Sequence, residues 1–161
     1  MGLKLDSAIY TGGTAVPGFR GMETITGTQT GGTLISGGPA VGYGPILDAV
    51  GALRAENAPE PYAFAAPPAV FTALSKKPNG TLTEQEPAPR EMPATFSSTQ
   101  LSTNSFVYSP SECYVVRRQD VAVELDRSRL FNSDQSELRG KLRASFVVPN
   151  PKAIVKLVTG S

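Results

Sequence analysis

The strongest constraint on how this chain can fold is an alternation that runs from Leu138 to Val148. Leu138, Gly140, Leu142, Ala144, Phe146 and Val148 fall on one side, and Arg139, Lys141, Arg143 and Ser145 on the other. Successive side chains of a β-strand point to opposite faces, so this period of two predicts a long strand with one apolar and one basic face. Such a strand cannot stand alone. Its apolar side needs a cover and its backbone needs a partner. The sequence around it supplies further strands. Val121, Val123 and Leu125 alternate with Ala122, Glu124 and Asp126, which predicts a second half-buried strand upstream, with shorter strands at Cys113–Val116 and Phe106–Tyr108. Downstream, Asn150-Pro151 predicts a turn, and Ala153 to Val158 a closing strand.

The remainder of the chain reads differently. Twelve of the 16 glycines lie between Gly2 and Gly44, and 14 prolines are spread through the sequence, so much of the backbone must be turn and loop. Leu3, Leu5 and Ile9, and then Thr33-Leu34-Ile35, suggest brief strands inside that glycine-rich part. From Pro45, Ile46, Leu47, Val50 and Leu53 recur at helical spacing until Asn57 and Pro59 stop them. Tyr62 to Ala66 predicts a short apolar strand. Pro67 and Pro68 then open a helix carrying Val70, Phe71 and Leu74, which Pro78 ends. Asn79-Gly80 predicts a tight turn, Thr83 to Pro93 a proline-broken loop, and Thr95 a further strand. Short helices in the middle and strands at the end predict an α+β chain.

Several kinds of chemistry are disfavoured by what the chain lacks. It has no histidine and one cysteine, Cys113, which removes histidine-based triads, the commonest general base, most zinc sites and any disulfide within the chain. Cys113 is expected to be a buried structural thiol. A net charge of +1 is low for a protein whose work is binding nucleic acid, so no specific nucleic-acid binding is expected. No apolar run approaches the ~18 residues of a membrane helix, so no membrane partner is expected either. The stretch Gly32-Thr33-Leu34-Ile35-Ser36-Gly37-Gly38-Pro39 has the glycine spacing of a phosphate loop. It carries Gly38 and Pro39 where that loop needs a lysine and a hydroxyl. Gly42-Tyr43-Gly44 begins a dinucleotide fingerprint that Leu47 breaks. Glu124 and Asp126 would share a strand face, but their alternation with Val and Leu makes that face the solvated one. No cofactor, metal or catalytic residue is therefore expected, and the chain does not read as an enzyme. Arg139, Lys141 and Arg143 are the candidate subunit-contact residues. The same basic row also fits a solvated strand face or contact with packaged DNA phosphates, while Arg in particular suits ion pairs across interfaces.

Taken in order, these segments resemble one family. Tyr114-Val115-Val116-Arg117-Arg118-Gln119-Asp120-Val121-Ala122-Val123-Glu124-Leu125, a loop at Phe131-Asn132-Ser133-Asp134-Gln135, the alternation Leu138–Val148, and Asn150-Pro151-Lys152-Ala153-Ile154-Val155-Lys156-Leu157 are similar to the closing strands of tailed-bacteriophage major capsid proteins. Gly2-Leu3-Lys4-Leu5-Asp6-Ser7-Ala8-Ile9-Tyr10-Thr11-Gly12-Gly13-Thr14 with Pro17-Gly18-Phe19-Arg20-Gly21 looks like the passage that ends the family's long helix. Phe64 to Leu74 looks like its strand-to-helix step, with Ala66-Pro67 in place of Asn-Pro.

The resemblance implies the Hong Kong 97-like phage capsid fold: an axial (A) domain, here a sheet flanked by helices, and the long strands of an incomplete peripheral (P) domain. It implies a division into 1–20 (P-domain remnant), 21–137 (A domain) and 138–161 (P-domain C-terminal strands). Family members are longer at the N-terminus, so the chain would correspond to the C-terminal part of one. The implied function is structural. It is that of a phage or prophage head subunit acting by self-association in an icosahedral shell, with other head or virion proteins as further partners. The implied location is the virion, with the host bacterial cytoplasm during assembly or for a prophage remnant. The loop-rich stretches Gly27–Tyr43 and Thr83–Phe96 would form the self-associating tip of the A domain. An encapsulin-like compartment shell shares the implied fold, and an unrelated small α/β binding module or enzyme stays open on the residues alone.

Overall fold

The structure is a computed structural model, and it describes residues 2–12, 20–35, 42–76, 88–101, 103–126 and 137–159. Three helices, a five-stranded sheet and a separate two-stranded ribbon make up the described chain. Helix α1 (Gly2–Thr11) comes first, followed by β1 (Gln29–Thr33), α2 (Gly44–Ala55), β2 (Ala63–Ala66), α3 (Pro68–Lys76), β3 (Ala94–Ser97) and β4 (Asn104–Tyr108). The ribbon strands β5 (Tyr114–Asp126) and β6 (Glu137–Val147) follow, and β7 (Ile154–Val158) returns to the main sheet.

The main sheet has the order β1-β7-β4-β2-β3. β1 is parallel to β7 and β2 is parallel to β3, while β4 runs antiparallel to both β7 and β2. Alternation along the central strands sends side chains to two cores. Phe64, Ala66, Val107, Val155 and Leu157 meet α2 and α3 on one face. Ala65, Phe106 and Ile154 meet Ala8 of α1, Met22, Leu101 and Phe146 on the other. β2 is buried along its whole length because both its faces are covered.

The helices follow from their apolar spacing. In α2, Ile46, Ala49, Val50 and Leu53 form one stripe, and Pro45 sits in the first turn where its missing N–H costs nothing. The helix stops as expected at Asn57, whose φ of 54° takes the left-handed conformation that Asn tolerates, so that Ala58 N–H reaches back to Leu53 C=O at 3.0 Å. In α3, Val70 and Leu74 face the core, and Phe71 meets Phe64 edge-on with ring centroids 5.6 Å apart.

The glycine-rich start differs from its sequence reading. Leu3, Leu5 and Ile9 do not lie in a strand but in α1, where Leu5, Ala8 and Ile9 recur at helical spacing. The helix ends at Gly12, at φ 71°, with its N–H on Ala8 C=O at 3.1 Å. Gly12 and Gly21 face each other so closely that a Cβ on Gly12 would stand 2.5 Å from the Gly21 nitrogen. That contact lets Met22 and Glu23 donate to Ile9 and Tyr10 carbonyls at 2.8 and 3.0 Å, which clips the segment after the helix onto its last turn. The next strand lies earlier than Thr33-Leu34-Ile35, at Gln29–Thr33. There Gly31 leaves room for Leu157, whose Cδ2 would be 2.5 Å from a Cβ at that position. The expected turn at Asn79-Gly80 and the start of the Thr83–Pro93 loop lie outside the described residues.

Candidate assembly interface

The two strands expected at Cys113–Val116 and Val121–Leu125 are one strand, β5, paired antiparallel along its length with β6. Register slips between Arg117 and Gln119 and again between Gln119 and Ala122, so six residues of β5 span the four from Lys141 to Ala144. Extra residues of this kind bend a strand and re-aim its side chains. The slips also hide the continuity from a reading of period two, because the alternation changes phase at each one. The expected border at 137/138 falls at the far end of the paired strands β5 and β6, and β7, from the 138–161 segment, lies inside the main sheet between β1 and β4.

The ribbon has two unlike faces. Where it joins the body, Phe146 is 6% exposed and packs with Ala8, Met22, Ala65, Leu101, Phe106 and Ile154. Val148 and Cys113 close the edge of that cluster. At this root the apolar face of Leu138–Val148 is covered at Phe146. That cover does not extend along the ribbon, since Val123, opposite Gly140, is 67% exposed. A two-stranded ribbon has only one neighbour per strand, which leaves Val123 in water.

The outward face of the root carries a patch of its own. Tyr114 pairs in register with Val147, and Val116 follows on the same face; the three are 50%, 44% and 51% exposed. Beyond them come Gln119 opposite Arg143, Ala122 opposite Lys141, Glu124 opposite Arg139, and Asp126 opposite Glu137. The three candidate contact residues, Arg139, Lys141 and Arg143, thus sit at alternate register positions of β6, and of their side chains that of Arg143 is described, and is exposed. Arg117 and Glu124 are both engaged in polar interactions.

Under the ribbon root lies a small polar cluster. Tyr10 and Tyr108 lie together there, and the Tyr10 ring stacks on Phe106 at 6.4 Å. Burial pushes both tyrosines above their ordinary range, and Asp6 adds to the effect on Tyr10. Burial, helped by the Glu112 carboxylate, raises the Cys113 thiol to about 12. A thiol held protonated is a poor nucleophile, which fits the structural role read from its isolation in the sequence.

The two loop stretches expected to form the tip are described only in part, residues 36–41 and 83–87 lying outside the described residues. Gly27–Tyr43 contains β1 at one edge of the main sheet, and Thr83–Phe96 runs into β3 at the opposite edge. Strand directions also put Leu34, after β1, at the end where the parallel strands finish, and Pro93, before β3, at the end where they start. The body carries an open groove of about 300 Å³ beside β3, lined by Val50, Tyr62 and Met92. Arg54 spans it, 3.1 Å from Glu60 and 3.3 Å from Glu91, so its carboxylates are committed to that arginine. Among the described residues no group of three or more His, Cys, Asp or Glu could hold a metal ion, and no helix is long and apolar enough to cross a membrane.

No protein-family model matches the chain, and no curated protein sequence does. Solved structures do. The capsid of an empty GTA particle, computed with C5 symmetry, superposes with a TM-score of 0.67 at 17% identity, over 96% of this chain. The native GTA particle capsid gives 0.67 at 18% identity, and the virus-like particle from Pyrococcus furiosus 0.64 at 15%, each again over 96% of this chain. The chain has the fold of a capsid shell subunit. It spans 60%, 66% and 63% of those three subunits respectively, so the capsid-like chain described here matches a part of each. All these matches run through both sheets, because 96% of the chain cannot be covered by the five-stranded body without the ribbon.

Proposed function

We propose that this chain is a structural shell protein, the subunit or a large part of the subunit of an icosahedral phage or prophage head, which works by associating with copies of itself. The observation that carries the reading is the superposition on capsid subunits over 96% of the chain, ribbon included. The ribbon supports it physically. Its root face leaves Tyr114, Val116 and Val147 about half exposed on a strand pair with no cover, a surface of the kind that subunit contacts bury. In the Hong Kong 97-like scheme, 21–137 supplies the axial domain, 1–20 a remnant of the peripheral domain and 138–161 its C-terminal strands, the ribbon bridging the two. The chemistry of such a protein is burial and pairing at repeated contacts, so it needs no cofactor and its place is the virion. Its partners are its own copies and other head proteins.

The match to the Pyrococcus furiosus virus-like particle favours a second reading, a compartment shell that encloses cargo enzymes. The genes beside this one separate the two: portal, protease and terminase genes for a head, or a cargo enzyme for a compartment. Self-association is tested by sedimentation velocity over a wide concentration range. Species larger than one chain are expected, and a monomer throughout would overturn both shell readings.

A further inference from the structure

The root of the ribbon carries charge of one sign. Tyr114 to Gln119, paired with Arg143 to Val147, include Arg117, Arg118 and Arg143, all exposed, and no carboxylate. Val147, Ser145 and Arg143 alternate along β6 and so share its outward face, with Tyr114, Val116 and Gln119 opposite them. Arg118 sits beside them at the first slip in register. With Tyr114, Val116 and Val147 about half exposed, this face is an apolar patch with a basic end. Tyrosine and arginine are the side chains that most often anchor a protein contact.

The patch does not fit itself. A two-fold contact would use the same face on both copies, and a face without a carboxylate leaves its arginines against one another or against apolar side chains. Charges buried without a partner are costly. A different surface of the chain does fit. The groove beside β3, lined by Val50, Tyr62 and Met92, has a volume of about 300 Å³, room for an aromatic side chain. Its rim holds Glu60 and Glu91, whose side chains are 61% and 68% exposed, and Arg54 contacts one oxygen of each. Two carboxylates that share one arginine leave the rim with a net negative charge. Phe96, on the same side of β3 as Ala94 in the groove wall, is half exposed and extends the apolar surface. Groove and root belong to opposite faces of the main sheet, since Val50, Tyr62 and Met92 pack in the core under α2 and α3, and Phe146 in the core under α1. One chain cannot bring them together; two chains can.

We infer that the outward face of the ribbon root docks on the groove beside β3 of a second copy of this chain, with Tyr114 entering the groove and Arg118 and Arg143 facing Glu60 and Glu91. The inference rests on the self-associating reading above and gives it a direction. The two surfaces are unlike, so each copy offers its root to one neighbour and its groove to another. Such a contact repeats into a ring or an open row and does not stop at a pair.

The test compares the natural chain with two variants of the full chain by sedimentation velocity at low salt. The ribbon variant is Arg118→Glu with Arg143→Glu, and the groove variant is Glu60→Lys with Glu91→Lys. All four positions are exposed, and the ion pairs of Arg54 lie at the surface, where they add little to stability; circular dichroism confirms that each variant is folded. Each variant alone is expected to associate at least about tenfold more weakly than the natural chain, because acid meets acid in one and base meets base in the other. In a one-to-one mixture the new glutamates face the new lysines, and the unchanged root of the groove variant faces the unchanged groove of the ribbon variant. Association is then expected to return to within about threefold of the natural chain. Recovery on mixing supports the contact. If the natural chain associates and either variant matches it, the contact is overturned while self-association stands. If both variants are weakened and mixing restores nothing, the pairing of root with groove is overturned. A natural chain that stays monomeric removes the shell reading itself, and the contact with it.

Discussion

Replacing Phe146 by alanine should loosen the joint between the ribbon and the body. The ring is 6% exposed and touches a cluster built from α1, the main sheet and Met22. Removing a buried phenylalanine costs about 3–5 kcal/mol, part from lost burial and part from the cavity left behind. Here the cluster borders half-buried Tyr108, Cys113 and Val148, which can settle into the space, so the low end of that range, about 3 kcal/mol, applies. For a chain this size unfolded by urea, with a slope of about 2 kcal/mol/M, the midpoint should fall by about 1.5 M. Val123→Ala on the same ribbon face is the control. At 67% exposure it should change stability by less than about 0.5 kcal/mol. Far-UV circular dichroism in urea measures both, at protein concentrations low enough that association adds nothing. Equal midpoints for Phe146→Ala and Val123→Ala would show that the ribbon is not seated through Phe146 and would refute the packing described here.

Gly12→Ala should destabilise the chain by about 2–3 kcal/mol, because the residue takes a left-handed φ and its Cβ would strike the Gly21 backbone. Gly51→Ala, exposed in α2 with open space around the new Cβ, should instead stabilise by about 0.5–1 kcal/mol; thermal melts compare the two. The buried hydroxyls of Ser105 and Thr159 share a 2.7 Å hydrogen bond, so Ser105→Ala should cost about 1–2 kcal/mol and Ser105→Ala with Thr159→Val less than the single change. With its folded pKa raised to about 12, Cys113 contributes stability that is complete below the unfolded thiol value near 9 and is lost as pH climbs from there toward 12. Urea midpoints should therefore drop between pH 8 and pH 11, less steeply in Cys113→Ala, and the native thiol should resist a maleimide at pH 7 until the chain is unfolded.

The elements with an unbroken period were legible in the sequence. Ile46, Val50 and Leu53 gave α2 its buried stripe, Asn57 its stop, and Leu138–Val148 the strand β6. Helix α1 was not, because a ten-residue segment flanked by glycines has weak helical preference, and what holds it is the clip between Gly12 and Gly21, a contact that spacing does not reveal. The length of β5 was obscured by two slips in register that reset its alternation. The basic row of Arg139, Lys141 and Arg143 could be read as one face of a strand. Its backbone pairing with Glu124, Ala122 and Gln119, in that order, depended on those same slips. Gly31 makes space for Leu157, a close approach that no spacing in the sequence reveals.

Multi-angle light scattering on the purified chain, from micromolar to near-millimolar concentration and at low and high salt, bears most directly on the claim that this is a shell-building protein. The account predicts a mass of at least two chains, growing with concentration. A mass of one chain at every concentration and salt would contradict it.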